Sequence, residues 1–181
     1  LPTEEGLQQL APEKNATGIA SAMNEVAQHI EVAKQQKQAQ QTSAVVSLPG
    51  ARQVRRAVAP RYAPGGQSTQ MIVGADSASD AMILRTSSAL YRGPQLRRVY
   101  YSALSPIPDA SADLPLQAPP LIREHRLYQA DWLMRFYGFT HDEIVVPGSA
   151  GMLDLEIDPK LAWALANRQH FPINLNRAPK E

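Results

Sequence analysis

Cysteine is absent from the 181 residues of this chain. Without thiolates, the chain cannot form a disulfide, a cysteine-ligated zinc site or an all-cysteine iron–sulfur site from its own residues. No apolar run approaches the roughly 18 to 20 residues that cross a bilayer. The first ten residues, LPTEEGLQQL, are acidic and polar, whereas a signal peptide is basic and then apolar. We therefore expect a cytoplasmic protein with no membrane partner.

Apolar residues make up 44% of the sequence, and 18 basic side chains nearly balance 17 acidic ones. This composition is sufficient for a core of about one domain. Aromatic residues are few, at 6%, and fifteen Pro and ten Gly predict irregular stretches within a globular body.

The balanced net charge hides a basic middle. Residues 51–135 carry eleven basic side chains, all Arg, against six acidic ones, whereas the flanking parts each have a small acidic excess. Because the Arg fork suits phosphates and carboxylates, a polyanionic partner is one interpretation of this region. The other is a solvated surface with ordinary ion pairs.

The N-terminal part predicts two helices. Thr3 is placed to cap a short one, and a second begins at Thr17 with apolar residues spaced three or four apart as far as Ala33. Residues 36–66 then combine a Gln-rich tract with Pro, Gly and four Arg. We interpret them as a mobile basic linker or lid, with phosphate binding as the alternative.

The centre of the chain predicts a β-α-β unit. Residues 70–74 are apolar on both faces, as in a buried parallel strand, a helix is expected over 78–91, and residues 97–103 alternate like a second strand. Such units build barrels and doubly wound sheets, in which chemistry gathers at the carboxyl ends of the strands. Here those ends are residues 74–76 and 102–104.

A Pro-rich connection follows over residues 105–120, and a long helix is expected from Leu121 to Tyr137. Its aromatic residues recur at helical spacing, which favours placing them in the core; they include Tyr128, Trp132 and Phe136. A last helix is expected from Asp158, with Pro159 at its first position.

Polar candidate residues are few. The four His are too scattered for a metal motif. Within residues 123–126, four ionisable groups share one turn at a helix start, where backbone N–H groups favour anions. A binding role for His125 and Arg126 and an exposed helix end are both compatible with this pattern. No arrangement of a nucleophile and a base is recognisable.

Several segments together resemble one family, the radical S-adenosylmethionine proteins of DNA modification or repair that are typically encoded beside a uracil-DNA-glycosylase-like protein. The segments are Ser68-Thr-Gln-Met-Ile-Val-Gly-Ala-Asp76, Arg98-Val-Tyr-Tyr-Ser102, residues 121–139 (LIREHRLYQADWLMRFYGF) and Asp158-Pro-Lys-Leu-Ala-Trp-Ala-Leu165. The start of the chain, Leu1-Pro-Thr-Glu-Glu, resembles the same family. The resemblance covers most of the chain except roughly residues 35–64.

This resemblance implies an α/β fold, an incomplete TIM-like barrel that carries a [4Fe–4S] cluster and cleaves S-adenosylmethionine reductively. In the family, three Cys of a C-x₃-C-x₂-C loop hold the cluster, and none of them is present here. We therefore expect the later part of such a protein, inactive without the cluster ligands. The expected division is a barrel segment (1–35), the linker (36–66), a late β-α-β unit with its connection (67–120) and a helical extension (121–181).

The resemblance also implies site residues and partners. Residues expected to contact the adenosine of S-adenosylmethionine are Met71, Ile72, Gly74, Asp76, Tyr101 and Ser102. Residues expected to line a nucleic-acid channel are Arg97, Arg98, Arg123, His125 and Arg126. Residues 171–179 look like the lead-in to a helix-hairpin-helix module. DNA and a uracil-DNA-glycosylase-like protein are the expected partners, and the alternative is a non-catalytic nucleic-acid or protein-binding module.

Overall fold

The structure is a computed structural model that describes residues 3–42, 62–107 and 114–172. These residues form a mixed α/β fold that is mostly helical, with one small parallel sheet, so the predicted α/β class is confirmed. In the described ranges, no helix has both the length and the apolar character that crossing a bilayer requires. The elements are α1 (Glu4–Leu10), α2 (Ala16–Thr42), β1 (Ser68–Val73), α3 (Asp80–Arg92), β2 (Arg98–Ala103), α4 (Leu121–Phe136), α5 (His141–Ile144) and α6 (Pro159–Ala166).

The two N-terminal helices form as expected, but the second is longer. Thr3 caps α1, where the Gly6 N–H donates to its hydroxyl at 3.0 Å. α2 continues to Thr42, so residues 36–42 are helical and the prediction that a linker begins at residue 36 is wrong. Gln, Ala and Lys favour a helix, and neither Gly nor Pro interrupts this stretch. Residues 43–61 of the predicted linker lie outside the described residues.

The central β-α-β unit is confirmed. β1 and β2 are parallel and pair in register from Ser68 opposite Arg98 to Val73 opposite Ala103. Ser79 caps α3 between them, accepting from the Met82 N–H at 3.3 Å. This is the only such unit among the residues that the structure describes. The remaining units of a barrel stay a prediction.

Among the residues that the structure describes, helices cover one face of the sheet. The side chains of Met71, Val73, Val99 and Tyr101 are buried there and form the core with residues of α3 and α4. The opposite face, which we call the bare face, carries Gln70, Ile72, Tyr100 and Ser102 in two paired rows. Ile72 is 38% exposed and Tyr100 44%. The prediction of a strand buried on both faces is therefore wrong within the described structure.

Only Tyr128 among the aromatic residues of α4 packs against the core. Trp132 is 53% exposed and Phe136 58%, while Leu127, Ala130 and Leu133 are buried. Asp131 lies among these buried residues at 1% exposure. A periodicity argument treats an Asp as polar and therefore assigns this face to solvent. The prediction of an aromatic core stripe is wrong for Trp132 and Phe136, whereas Tyr128 and Phe139 do pack against the core.

The C-terminal region combines a confirmed helix with one that sequence analysis missed. Asp158 caps α6 by accepting from the Leu161 N–H at 3.0 Å, and Pro159 is its first residue. α5 is a single turn held by a capping box between Thr140 and Glu143, too short to show a period. Hydrogen bonds from the Thr140 backbone and hydroxyl lower the pKa of Glu143. Residues 173–181, most of the helix-hairpin-helix lead-in, lie outside the described residues.

Candidate functional site

Side chains of the helices close the outer edge of β2. The Tyr101 N–H donates to the Tyr128 hydroxyl at 3.0 Å, and that hydroxyl donates to the Tyr101 carbonyl at 2.9 Å. Two residues further along the strand, the Ala103 N–H donates to the Glu124 carboxylate at 2.8 Å. These bonds occupy backbone groups that would otherwise recruit another strand.

The same pattern continues towards the start of β2. The Val99 N–H donates to the hydroxyl of Tyr91 at 3.1 Å, and the Arg135 guanidinium donates to the Arg97 carbonyl at 3.3 Å. Four residues of α4 advance about 6 Å, and two residues of a strand advance about 6.6 Å. Glu124 and Tyr128, four residues apart on α4, therefore meet successive outward-facing groups of β2, and Tyr91 of α3 meets the next one.

A buried carboxylate organises the side chains behind this edge. Asp131 accepts from the hydroxyls of Tyr91 and Tyr101 and from Arg135 Nε at 2.8 Å. The Tyr101 hydroxyl also lies 2.9 Å from the Ser87 hydroxyl, within hydrogen-bond distance. Burial, reinforced by Asp131, raises the pKa of both tyrosines well above the ordinary range. The structure therefore places Tyr101, an expected adenosine contact, inside the helix-covered core.

Only two of the expected adenosine contacts come together on the bare face. Ile72 and Ser102 are opposite each other in the paired register, near the carboxyl ends of their strands. Met71 is buried at 4% exposure on the core side, beside Tyr101. Neighbouring strand residues point to opposite faces, so a consecutive run such as 71–72 cannot line one pocket with both side chains.

The carboxyl end of β1 is occupied by contacts within the chain. Gly74 has φ +80°, and a Cβ there would lie 2.7 Å from Pro119 Cγ. The Asp76 carboxylate accepts from the Thr3 hydroxyl at 2.6 Å and from the Ala78 N–H at 3.1 Å. Gly74 and Asp76, both expected adenosine contacts, thus join β1 to the connection before α4 and to the start of α1.

Two of the expected nucleic-acid residues have structural contacts instead. Arg123 forms an ion pair with fully buried Asp80 at 2.8 Å and also donates to the Ala78 carbonyl. Arg126 donates to the Leu155 carbonyl at 3.0 Å. These contacts fix α4 against the start of α3 and the loop before α6, and the Arg123 guanidinium is engaged with buried Asp80.

The other three expected nucleic-acid residues are exposed. Arg97 immediately precedes β2 and Arg98 is its first residue, and neither pairs with a carboxylate within the described ranges. His125 lies on the solvent side of α4. The Arg98 guanidinium carbon is 4.9 Å from the ring centre of Tyr100 and 5.8 Å from that of Tyr128, within cation–π distance.

Aromatic residues of α4 extend this exposed surface. The rings of Trp132 and Phe136 lie 4.3 Å apart, and the Arg135 guanidinium is 4.8 Å from the Phe136 ring. We call the whole region the Arg–aromatic surface; it comprises Arg98, Tyr100, Tyr128, Trp132, Arg135, Phe136, Tyr137 and Lys160. Sequence analysis missed it because the aromatic spacing was interpreted as a core stripe. The signal that could have revealed it is the alternation of Arg with the aromatic residues.

The chain does not fit a [4Fe–4S] cluster, because it has no cysteine, and no set of three or more His, Asp and Glu in the described ranges could hold a metal ion. It fits part of an adenosine better, since Ile72 offers an apolar contact and Ser102 a hydroxyl on the same face. In comparisons with family models, curated proteins and solved structures, the chain matches none of them.

Proposed function

We propose that this chain carries the later β/α units of an incomplete barrel in a radical S-adenosylmethionine iron–sulfur enzyme that modifies or repairs DNA. The main support for this proposal is that the two edges of the sheet differ in how they are covered. β2 is sealed by side chains of α3 and α4, whereas β1 has no strand on its other side in the described structure. A terminal strand of an open barrel needs such a sealed outer edge, and earlier strands would join at β1.

The bare face supports the same assignment. In a β/α barrel, the helices cover the outside and the opposite sheet face lines the interior. Here α3 and α4 cover one face, and the bare face carries polar and apolar side chains in equal number. These are Gln70, Ile72, Tyr100 and Ser102. We expect this face to be directed towards the cofactor and the substrate.

The contribution of this chain is binding and orientation. When bound, S-adenosylmethionine would supply the adenosyl group, and Ile72 and Ser102 would contact the adenosine by apolar packing and a hydroxyl hydrogen bond. The cluster would be held by residues outside this chain, since its own residues do not fit one. Arg97 and Arg98 lie at the opposite end of β2, where they would contact the phosphates of DNA.

Anaerobic reconstitution of the full-length protein tests the proposal. We expect an iron–sulfur signal in electron paramagnetic resonance and, on reduction with S-adenosylmethionine present, release of 5′-deoxyadenosine. Replacing Ser102→Ala should raise the KM for S-adenosylmethionine. The matched control is Ser88→Ala, on the solvent side of α3, where the hydroxyl contacts Arg92. A full-length protein that lacks a C-x₃-C-x₂-C loop, or that forms no 5′-deoxyadenosine, would overturn the enzyme assignment.

The second candidate is a non-catalytic nucleic-acid-binding module of the same fold. The observation that favours it is the Arg–aromatic surface, which is exposed and requires no cofactor. This candidate predicts that the 181-residue chain binds nucleic acid alone, whether or not a cluster-bearing part exists.

A further inference from the structure

Large aromatic side chains lie exposed where α4 ends. Trp132 is 53% exposed, and Phe136 and the following residue, Tyr137, are each 58% exposed. Burying such rings would stabilise the fold, so leaving them in contact with water is unfavourable. A contiguous exposed apolar patch of this kind therefore indicates a binding surface. The buried residues of α4 show that the helix already has a complete core face of smaller side chains.

Four rings of this surface have a cation beside them, those of Tyr100, Tyr128, Phe136 and Tyr137. Lys160 Nζ is 5.3 Å from the Tyr137 ring centre, as Arg135 is beside Phe136 and Arg98 beside Tyr100 and Tyr128. Arg98 and Lys160 have no carboxylate partner within the described residues, whereas Arg135 is paired with buried Asp131. A ligand for this surface should therefore combine flat rings with negative charge.

A groove of about 360 Å³ lies on this surface, between α4 and the start of α6. The rings of Tyr128, Trp132 and Tyr137 line it together with Lys160. Asp158 is also in its wall, but that carboxylate is engaged in capping α6. The volume suits one planar group of nucleobase size between aromatic walls.

We propose that the Arg–aromatic surface binds single-stranded nucleic acid. Bases stack on Trp132 and in the groove, and Arg98 and Lys160 contact the phosphates on either side. Stacking requires an accessible base face, which a duplex hides, so the single strand is the favoured form. An apolar protein partner would leave the two unpaired cations unsatisfied. This inference rests on the proposed function for a nucleic-acid target, but not on its radical chemistry.

The two tryptophans of the chain give a direct test. Trp163 packs between Phe139 and Phe171 on α6, whereas Trp132 is exposed on the proposed surface. In W163F, Trp132 is the sole tryptophan; titration with an oligothymidylate of about fifteen nucleotides should quench its fluorescence through stacking. In W132F, the remaining Trp163 should show little change. The 181-residue chain is used throughout, with circular dichroism to confirm folding.

Binding strength separates the contributions of rings and cations. W132A should weaken oligothymidylate binding about ten-fold, since a stacked base is lost. Arg98→Met should weaken it less and reduce the slope of log affinity against log salt by about 0.7. Arg85→Met is the matched control, because Arg85 is an exposed Arg of α3 outside this surface; it should change the affinity little.

Three results would overturn the inference. One is equal quenching by a blunt duplex, which would indicate phosphate contacts without stacking. Another is no quenching of Trp132 at low salt in a folded W163F chain. The third is sedimentation showing a dimer that W132A dissociates, which would make the surface a contact between copies. None of these results bears on 5′-deoxyadenosine formation, so failure here is distinguishable from failure of the enzyme assignment.

Discussion

Tyr128 binds the backbone of Tyr101 through both roles of its hydroxyl, accepting from the N–H and donating to the carbonyl. The side chain takes the position that a neighbouring strand would occupy. The two rings also meet edge to face, with centres 5.2 Å apart, so the same tyrosine seals the edge and packs on the core. Within the described residues, β2 is thus an edge strand whose free side is occupied by side chains.

Replacing Tyr128→Phe should remove both hydrogen bonds and leave two backbone groups without partners. We expect a loss of about 1–2 kcal/mol in the free energy of unfolding, measured by urea titration. The Tyr101 amide should also exchange its hydrogen faster. Tyr100→Phe is the matched control, because Tyr100 lies half exposed on the bare face. Its effect on stability should stay within about 0.5 kcal/mol, and an equal loss in both variants would contradict edge sealing.

The buried tyrosines predict a loss of stability at alkaline pH. Burial raises the pKa of Tyr91 and Tyr101 in the folded chain, whereas the unfolded chain ionises them near pH 10, the ordinary value of about 10 for tyrosine. Above that pH the unfolded state loses protons that the folded state keeps, so the free energy of unfolding falls as pH rises. Below about pH 9, ionisation of these two tyrosines should not change the free energy of unfolding.

Absorbance at the phenolate band provides the measurement. The chain has six tyrosines, and in the folded state Tyr91 and Tyr101 should ionise only together with unfolding. Tyr101→Phe should make the decline in stability above about pH 10 less steep. If all tyrosines of the folded chain titrate together near pH 10 without loss of helical signal, the result would contradict the burial of Tyr91 and Tyr101 beside Asp131.

The sequence was sufficient to predict the elements that local chemistry determines. The run at 70–74 and the helix expected over 78–91 are each encoded by neighbouring residues, so the β-α-β unit could be derived. The cap at Asp158 is of the same kind. Such signals depend on contacts within a few residues.

The arrangement of the site depends on contacts between distant residues and could not be derived. Arg123 reaches Asp80 across 43 positions, and its role as an ion-pair partner has no local signature. Asp131 is buried because Tyr91, Tyr101 and Arg135 satisfy it, although its residue type predicts exposure. Asp131 lies on the buried face of α4, and Trp132, the next residue, therefore lies on the exposed face.

Arg123 provides a second stability prediction. Its ion pair with Asp80 is nearly water-free, since the side chains are 11% and 0% exposed. Arg123→Met should leave the buried carboxylate with a single backbone donor, the Leu153 N–H, and cost about 3 kcal/mol in the free energy of unfolding. Arg97→Met, at an exposed position, should cost less than about 0.5 kcal/mol. Thermal and urea unfolding of both variants provide the comparison.

The Arg123→Met variant also tests whether Arg123 has a structural role or binds a ligand. At a temperature where both variants are folded, Arg123→Met should bind an oligothymidylate as the unmodified chain does, with the same salt dependence. A reduced salt slope in folded Arg123→Met would instead assign this guanidinium to the nucleic acid and contradict the ion-pair role.

Gly74 offers a test of how the carboxyl end of β1 is closed. Gly74→Ala should be destabilising for two reasons, the positive φ of +80° and a Cβ placed 2.7 Å from Pro119 Cγ. Gly138→Ala is the matched control, because Gly138 has φ +73° with nothing within 4 Å of the added atom. We expect about 1 kcal/mol for Gly138→Ala and about 2–3 kcal/mol for Gly74→Ala, measured by urea unfolding.

We expect the contact with Pro119 to account for the larger loss of stability in Gly74→Ala than in Gly138→Ala. Adding Pro119→Ala to Gly74→Ala removes the ring that the new Cβ meets, so the double variant should recover part of the lost stability, with an interaction energy of about 1 kcal/mol in the double-mutant cycle. Pro119→Ala combined with Gly138→Ala should be additive, because those positions share no contact. Additivity in both cycles would show that Pro119 does not contact residue 74. The carboxyl end of β1 would then be open to a ligand.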